Sequence, residues 1–299
     1  MRRFDGEAVL LTGAAGFTGQ YVRNGLERLG CRVIDPEAEE GGFDLRKPDD
    51  VRGVVRRQPF DYVIHLAAQS FIAQADSAAF YAVNTVGSSN LLAELADSGQ
   101  RLRKVIVASS ANVYGNAIRS PIDESLPPAP VNHYACSKLA MEHMAATFMD
   151  RLPVVITRPF NYTGVGQAPH FLIPKLVAHF ARRLPSISLG NLDVERDFSD
   201  VRAVANAYIR LLASDVVGET LNICSGVGHS LRSVLQALQE ITNHSIRISV
   251  DPSLVRRSEV ARLVGDPGRL RHAVGPLGFD DFHETLVWMV AEAEDHARP

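Results

Sequence analysis

Short apolar runs alternate with helical stretches over the first two thirds of this 299-residue chain. The runs are rich in aliphatic and β-branched residues, and in order they read AVLLTG, CRVID, DYVIHLA, KVIVASS and VVITR. They are apolar on both faces instead of alternating with polar residues, which is typical of strands that helices cover on two sides. The alternation therefore predicts an α/β fold built on a doubly wound parallel sheet.

A glycine-rich turn follows the first apolar run. Gly13, Gly16 and Gly19 form the pattern Gly-x-x-Gly-x-x-Gly ahead of the helical stretch FTGQYVRNGLERLG. Glycine at these points permits a tight turn, lets a pyrophosphate approach backbone N–H groups, and allows close packing of helix on strand. A glycine turn in this place predicts a dinucleotide-binding site.

Asp35 ends the second apolar run, about 20 residues further along, where such folds place an acidic residue. A carboxylate there can accept hydrogen bonds from the adenosine ribose hydroxyls and would repel a 2′-phosphate, which favours NAD(H). Arg32 or Arg46 could instead meet a 2′-phosphate, and Asp35-Pro36 could simply begin a loop. The expected cofactor is therefore NAD(P)H, with NADH slightly favoured and the phosphate preference left open.

After Arg158 the sequence becomes rich in proline, glycine and basic residues, and further helices are predicted at 200–213 and 230–242. We expect residues 1–160 to form a dinucleotide-binding domain and residues 161–299 to form a smaller α/β lobe that binds the substrate. The run ETLNICSG has the composition of a strand. A segment around 197–225 is therefore expected to return to the main domain.

Tyr134 and Lys138 lie four residues apart in YACSK, at the head of a predicted helix, so one helix face carries both side chains. A phenol has a reference pKa of about 10 and donates a proton near neutral pH only if positive charge lowers that pKa. Lys138 and a bound nicotinamide are expected to supply the charge. Ser110 follows the run KVIVAS, at the carboxyl edge where doubly wound sheets bind ligands.

Together these three residues predict hydride transfer between a nicotinamide and a carbon that bears oxygen. Ser110 would orient the oxygen, Tyr134 would transfer the proton, and Lys138 would hold the ribose and tune the tyrosine. His65 and His133 are interpreted as packing residues rather than as acids or bases.

Charge and composition exclude several other classes of protein. The 31 basic residues are spread along the chain and balanced by 34 acidic ones, which argues against a nucleic-acid partner. The apolar run from Ala8 to Leu11 is short for a signal peptide and no run could span a bilayer, so a cytoplasmic protein without a membrane partner is expected. Cys31, Cys136 and Cys224 lack metal-ligand spacing, so we expect reduced thiols and no metal.

Five motifs follow one another along nearly the whole chain: TGAAGFTG, HLAAQ, SSANVYG, YACSK and RPFNYTG. They resemble the extended short-chain dehydrogenase/reductase family that modifies nucleotide sugars, and the resemblance implies a Rossmann sheet. The C-terminal half is most similar to the GDP-4-dehydro-6-deoxy-D-mannose reductases, in the segments RPFNYTGVGQ, GNLDVERDFSDVR, LNICSG and RRSEVARLVGDPGRL. A GDP-linked 4-keto-6-deoxy sugar is the substrate, and GDP-D-rhamnose the product, that this resemblance implies.

The same resemblance implies roles for individual residues. Asn161 should contact the sugar diphosphate, and Glu259 should hold a ribose hydroxyl. Arg196 and Arg256 should bind phosphate or ribose, although either could be a solvated surface charge or half of an ion pair. Besides Tyr134 and Lys138, the implied cofactor contacts are Gly13, Gly16, Phe17, Thr18, Gly19, Asp35, Asp44, Leu45, Leu66, Ala67 and Ala68.

The chain departs from the family pattern near Asn161. The usual histidine after this asparagine is Tyr162, and the glycine-proline-glycine that commonly follows is Gly164-Val165-Gly166. These departures leave the orientation of the sugar open.

Related enzymes share the triad and form the alternatives. Dehydratases need an extra acid and base after the triad hydroxyl, and Ala111 and Asn112 stand there instead, which disfavours them. A nucleotide-sugar 4-epimerase, or a reductase of opposite facial choice that gives GDP-6-deoxy-D-talose, remains an alternative. A non-catalytic dinucleotide sensor would not need an intact triad.

Helices predicted from Tyr81 to Ser98 and from Tyr134 to Met149 carry apolar residues on several faces. This pattern suggests a homodimer formed through paired helices, although internal packing would explain it equally well.

Overall fold

The computed structural model describes residues 2–38, 42–70, 76–254, 260–278 and 281–295. The strands in chain order are β1 (Ala8–Thr12), β2 (Arg32–Ile34), β3 (Tyr62–His65), β4 (Lys104–Ala108), β5 (Val154–Pro159), β6 (Asn161–Thr163), β7 (Ser186–Leu189), β8 (Glu195–Asp200), β9 (Thr220–Ile223), β10 (Gly228–Ser230), β11 (Arg247–Val250) and β12 (Arg262–Leu263). The α-helices are α1 (Phe17–Arg28), α2 (Pro48–Arg57), α3 (Ser77–Phe80), α4 (Ser88–Asp97), α5 (His133–Ala146), α6 (Leu172–Ala181), α7 (Val201–Leu212), α8 (Leu231–Thr242), α9 (Gly268–Val274) and α10 (Phe282–Asp295).

Six parallel strands form the central sheet, in the order β2-β1-β3-β4-β5-β9. Every residue of β1, β3, β4 and β5 is buried. One apolar cluster packs α1 and α7 on one face of the sheet, and a second packs α2, α4 and α5 on the other. The predicted doubly wound parallel sheet is therefore confirmed, and its strands are apolar on both faces because helices cover both faces.

A second group of elements follows β5. Strands β6, β10 and β12 all pair with β8, while β7 and β11 form a separate parallel pair. Helices α6, α8 and α10 share one apolar cluster with this region. The strand predicted from ETLNICSG is β9, which pairs with β5 at the edge of the central sheet. No helix within the described ranges is long and apolar enough to cross a membrane.

The helix expected from Tyr81 begins earlier and is irregular. It starts at Ser77, capped by the Asp76 carboxylate, and its middle section Tyr81–Gly87 is π-helical before α4 continues to Asp97. The wider turn places Asn84 in the interior, where it is fully buried. Widened turns of this kind are frequent at functional sites, and this one packs against α5, which carries part of the site described below.

Helix α5 is tied to the sheet by buried charge. The Arg158 guanidinium on β5 donates from Nε and Nη2 to the two carboxylate oxygens of Glu142 on α5, at 2.9 and 2.6 Å. Arg158 also donates to the Tyr114 hydroxyl at 3.0 Å, and that hydroxyl donates to Asn222 on β9 at 2.8 Å. Removing one partner of such a buried ion pair strongly destabilises the folded protein, because the other charge stays buried. The network therefore fixes α5 relative to β5 and β9.

Candidate active site

The glycine turn between β1 and α1 leaves no room for a side chain at Gly13 or Gly19. Gly13 adopts a left-handed backbone with φ of 73°, and a Cβ atom there would lie 2.7 Å from the Ala67 backbone nitrogen. A Cβ atom on Gly19 would overlap the Gly13 carbonyl. Because α1 begins directly after Gly16, its first N–H groups point into this turn. The cradle fits the pyrophosphate of a dinucleotide.

The segment after β3 lies against the same turn. Leu66 donates its N–H to the Thr12 carbonyl at 3.1 Å, and Ala67 donates to the Thr12 hydroxyl at 3.3 Å. His65 bonds Thr12 Oγ1 through Nδ1 and Ser88 Oγ through Nε2, at 2.6 and 2.8 Å. Burial lowers the pKa of His65 to about 3, so the imidazole is neutral at physiological pH. This histidine holds the turn together, as its interpretation as a packing residue implies.

The two acidic residues among the expected cofactor contacts, Asp35 and Asp44, have protein partners. Asp35 forms an ion pair with Arg23 on α1 and accepts a hydrogen bond from the Glu37 backbone N–H at 3.0 Å. Asp44 binds Arg46 through backbone and guanidinium, and the side-chain hydrogen bond lowers the Asp44 pKa to about 2. Leu45 is buried beneath the π-helical turn, where a Cβ atom on Gly87 would lie 2.9 Å from it.

Ser110 and Tyr134 meet at the carboxyl end of β4. The Ser110 hydroxyl forms a hydrogen bond with Tyr134 and accepts two others, from the backbone and side-chain amides of Asn112 at 3.2 and 3.1 Å. A hydroxyl has two acceptor sites and one proton. Because Asn112 fills both acceptor sites, the Ser110 proton is left to point towards Tyr134 or a bound oxygen. Sequence reasoning weighed Asn112 only as an acid or base and missed this orienting contact.

Burial dominates the electrostatics of Tyr134 and Lys138. Burial raises the pKa of this phenol to about 12, against the hydrogen bond from Ser110, which lowers it. The Lys138 ammonium donates to the Ala108 carbonyl at 2.7 Å, and burial lowers its pKa to about 8, opposed by the charge of Glu142. In this structure desolvation outweighs the hydrogen bond from Ser110, and the lowering expected from Lys138 together with a bound nicotinamide stays a prediction. A raised pKa keeps the phenol protonated and able to donate.

The π-helical turn supplies a further contact that the sequence did not reveal. Asn84 accepts from the Gln69 N–H at 2.8 Å and donates to both the Gln69 carbonyl and the Ser137 hydroxyl at 3.0 Å. Asn84 thus joins the segment after β3 to α5 beside Tyr134 and Lys138. No sequence signal marks the helix as π-helical at this point.

Tyr162, which replaces the family's histidine, bridges β6 and the glycine turn. Its ring stacks on Phe17 at 6.1 Å between centroids with an interplanar angle of 8°, and its hydroxyl lies 2.8 Å from the Thr18 hydroxyl. Phe17 in turn contacts Tyr21 edge-on. Of the expected cofactor residues, Phe17 and Thr18 therefore lie where β6 meets the head of α1.

Breaking the bond between the Thr18 and Tyr162 hydroxyls is expected to cost about 1 kcal/mol of unfolding free energy. Tyr162→Phe and Thr18→Val, measured by urea unfolding singly and together, should show a coupling of about 0.5–1.5 kcal/mol. Tyr21→Phe is a matched control, because its hydroxyl donates to the Val165 carbonyl instead. Fully additive costs for the Thr18 and Tyr162 variants would contradict the bridge.

The expected substrate residues are only partly described. Asn161 is exposed, two residues beyond the end of β5, and pairs in register with Phe198 of β8. Arg196, also on β8, donates to the backbone carbonyls of Glu195 and Ala261 at 2.9 and 3.3 Å. Arg256 and Glu259 lie outside the described residues.

Carboxyl ends of parallel strands meet at one edge, so the glycine turn after β1, Ser110 after β4 and Asn161 after β5 share that edge. A glycine turn beside a Ser-Tyr-Lys group defines the class of extended short-chain dehydrogenases/reductases. The model of the NAD dependent epimerase/dehydratase family matches residues 9–224, and the chain belongs to this family of enzymes.

Named relatives resemble the chain over nearly its whole length. It is 35% identical to the GDP-6-deoxy-D-talose 4-dehydrogenase of Aggregatibacter actinomycetemcomitans, covering 95% of each chain. It is 33% identical to the GDP-6-deoxy-D-mannose reductase of Pseudomonas aeruginosa, covering 90% of this chain and 91% of that one. The structure of RMD from Pseudomonas aeruginosa complexed with NADPH superposes with a TM-score of 0.88 at 30% identity, covering 99% and 100% of the two chains.

Proposed function

We propose that this enzyme reduces the C4 ketone of GDP-4-dehydro-6-deoxy-D-mannose with NAD(P)H to give GDP-D-rhamnose. The observation that carries the proposal is the grouping of Ser110, Tyr134 and Lys138 at the sheet edge that holds the glycine turn. The Tyr134 phenol keeps its proton in this structure, and an alkoxide that forms on reduction is a strong enough base to accept it, more readily once positive charge beside the phenol lowers its pKa. The relatives named for GDP-6-deoxy sugars support a GDP-linked substrate.

In this mechanism the glycine cradle would hold the pyrophosphate of the dinucleotide, whose nicotinamide would supply the hydride. Tyr134 donates its phenolic proton to O4 of the sugar. Ser110, whose acceptor sites Asn112 fills, donates its own proton towards the same oxygen and fixes its position. Lys138 would release the Ala108 carbonyl to bind ribose hydroxyls and return a proton to Tyr134. Orientation of the ketone by contacts to the remote diphosphate would contribute much of the acceleration.

Ala111 and Asn112 follow Ser110 and provide no extra acid or base, which supports reduction over dehydration. The opposite product, GDP-6-deoxy-D-talose, is the second candidate, because the relative named for that sugar is 35% identical against 33% for the mannose reductase. The two outcomes differ only in the face of C4 that receives hydride.

The test is nicotinamide fluorescence with NADH and NADPH in parallel, offered GDP-4-dehydro-6-deoxy-D-mannose or a dTDP-linked 4-keto sugar. Oxidation of the cofactor with the GDP sugar alone is expected, and NMR of the product should show the rhamno configuration at C4. A talo product would replace the proposal by its second candidate. Absence of oxidation with either sugar would contradict reduction and favour a 4-epimerase, which finished 4-hydroxy nucleotide sugars would reveal.

Reduction is expected to slow as the pH rises through about 8, where Lys138 loses its proton. A lysine with a lowered pKa is charged below that value and neutral above it, so its contribution to binding ribose disappears on the alkaline side. A pH profile of kcat/KM should show this limb. Lys138→Arg keeps the positive charge at high pH and should therefore remove the fall in kcat/KM above about pH 8. If the fall were unchanged in this variant, the loss of the Lys138 proton would not be its cause.

A further inference from the structure

Helix α5 buries two charged side chains one helical turn apart. Lys138 is 4% exposed and Glu142 is 5% exposed, and their spacing of four residues places both on one face of the helix. The Lys138 ammonium donates to the Ala108 carbonyl at 2.7 Å. A neutral carbonyl does not replace the hydration that an ammonium loses on burial, so negative charge nearby decides how readily Lys138 keeps its proton.

Glu142 supplies negative charge at a fixed position. Its two carboxylate oxygens accept hydrogen bonds from Nε and Nη2 of Arg158 on β5, at 2.9 and 2.6 Å. A carboxyl group that accepts from one guanidinium at both oxygens is ionised, and the two-point contact sets its orientation. Burial lowers the pKa of Lys138 to about 8, and the charge of Glu142 opposes this lowering. The position of the Glu142 carboxylate therefore affects the protonation of Lys138.

Three other ionisable groups lie around these two side chains, and none of the three is negative. His65 on β3 interacts with Lys138 and is neutral, because burial lowers its pKa to about 3. Tyr134, one turn before Lys138 on α5, keeps its proton because burial raises its pKa to about 12. Arg158 is positive and is paired with Glu142. Among these groups, Glu142 is the source of the negative charge that favours a protonated Lys138.

Other elements that pack on α5 carry groups that are neutral or paired with an arginine. Burial raises the pKa of Tyr81 on the π-helical turn and of Tyr114 after β4, so both phenols stay neutral. Glu94 and Asp97 on α4 form ion pairs with arginine side chains. The charge that acts on Lys138 is therefore assigned to Glu142 on its own helix.

We propose that Glu142 is a positioning residue for the reaction, whose carboxylate keeps the Lys138 ammonium charged while Arg158 holds the carboxylate in place. The proposal rests on the proposed function, in which the charge of Lys138 binds ribose and tunes Tyr134. It gives the buried ion pair an effect on the reaction besides its contribution to stability. Without the charge of Glu142, Lys138 would lose its proton at a lower pH and would be neutral in a larger fraction of the enzyme at physiological pH.

Direct titration of Lys138 by NMR tests the proposal without cofactor or sugar. The chain contains four lysines, which are Lys47, Lys104, Lys138 and Lys175. With so few, the ¹³Cε signal of each can be followed against pH in lysine-labelled protein, and the signal missing from Lys138→Arg belongs to Lys138. In Glu142→Leu/Arg158→Met this signal should titrate about 1 pH unit lower than in wild-type enzyme, or further. Glu142→Gln should shift it in the same direction.

The double variant is expected to fold, because replacing both charges of a buried ion pair by apolar groups of similar volume is often neutral or stabilising. Lys104 is the internal control in each sample. Burial lowers its pKa to about 8 as well, and its ammonium donates to Ser214, which follows α7 on the opposite face of the sheet from α5. Its titration should therefore stay in place when the charge of Glu142 is removed.

Tyr114→Phe separates the charge of Glu142 from the stability of the network. The variant removes a hydroxyl that accepts from Arg158 at 3.0 Å and donates to Asn222 at 2.8 Å, but it keeps the Glu142 carboxylate. It should unfold at a lower urea concentration than wild-type enzyme, while Lys138 titrates as in wild type. In profiles of kcat/KM, the fall above about pH 8 should move to lower pH in the double variant and stay in place in Tyr114→Phe.

An unchanged Lys138 titration in both Glu142 variants would overturn the proposal. An equal shift in Tyr114→Phe would also overturn it, because loosening of the network, and not the charge, would then be the cause. Failure of the proposed function would be observed separately, as wild-type enzyme that oxidises neither NADH nor NADPH with the keto-sugars. The titration decides whether Glu142 keeps Lys138 charged in either case.

Discussion

Tyr134→Phe is expected to lower turnover by about 10²- to 10⁴-fold, the contribution typical of a positioned proton donor. The variant removes the phenolic proton and the hydrogen bond to Ser110 but keeps the aromatic ring that packs edge-on against Phe80. Cofactor affinity, measured by nicotinamide fluorescence, should change little, because the cradle at the head of α1 is untouched. Steady-state kinetics with the keto-sugar would measure the loss in kcat.

Tyr81→Phe is the matched control for this loss. Tyr81 also stands near the head of α5, where its hydroxyl bonds His133 at 3.1 Å on the exposed side. Its removal should change kcat by no more than a few-fold, in line with the modest net value of one exposed hydrogen bond. Comparable kcat values for wild-type enzyme and Tyr134→Phe would contradict the role given to the phenol.

Glu142→Ala is expected to lower the free energy of unfolding by about 3–5 kcal/mol. The Arg158 side chain is 7% exposed. Among the described residues, the substitution leaves its guanidinium with the Tyr114 hydroxyl and ring as partners. An uncompensated buried charge, rather than the lost contact, supplies most of that cost. Urea unfolding followed by circular dichroism would measure it.

The double variant Glu142→Leu/Arg158→Met distinguishes this cause from a simple packing defect. Replacing both charges by apolar groups of similar volume is often neutral or stabilising, so the double variant should be more stable than Glu142→Ala. Asp193→Asn breaks an exposed ion pair with Arg232 and should cost no more than about 1 kcal/mol. If the unfolding free energy of Glu142→Ala lay within about 1 kcal/mol of the wild-type value, the Arg158 charge would not be left uncompensated and the stated cause would be contradicted.

The sheet could be predicted from sequence because its strands are short apolar runs separated by helical patterns. The order of such runs and the right-handed connections between parallel strands leave few alternatives. Strand β8 was not predicted, since Glu195–Asp200 is mostly polar in sequence. Its place depends on pairing with β6, β10 and β12, which are distant along the chain. Tertiary pairing of this kind overrides local composition.

At the candidate site, spacing predicted that Ser110, Tyr134 and Lys138 would share one edge, but not how their charges are balanced. Tyr134 packs edge-on against Phe80, a residue outside all five motifs, and burial raises the pKa of the phenol. Likewise, the pairing of Asp35 with Arg23 depends on the rotation of α1 against β2. Motifs indicate which groups are present, whereas their protonation depends on three-dimensional burial.

The contact between Thr18 and Tyr162 has a consequence for the two ligands of the enzyme. One hydroxyl belongs to the cradle for the dinucleotide, and the other follows Asn161, the residue expected at the sugar diphosphate. A dinucleotide that altered this contact would alter the affinity for the sugar. Linkage requires the sugar to change the affinity for the dinucleotide by the same factor. In that case one pair of hydroxyl groups would connect the two binding equilibria.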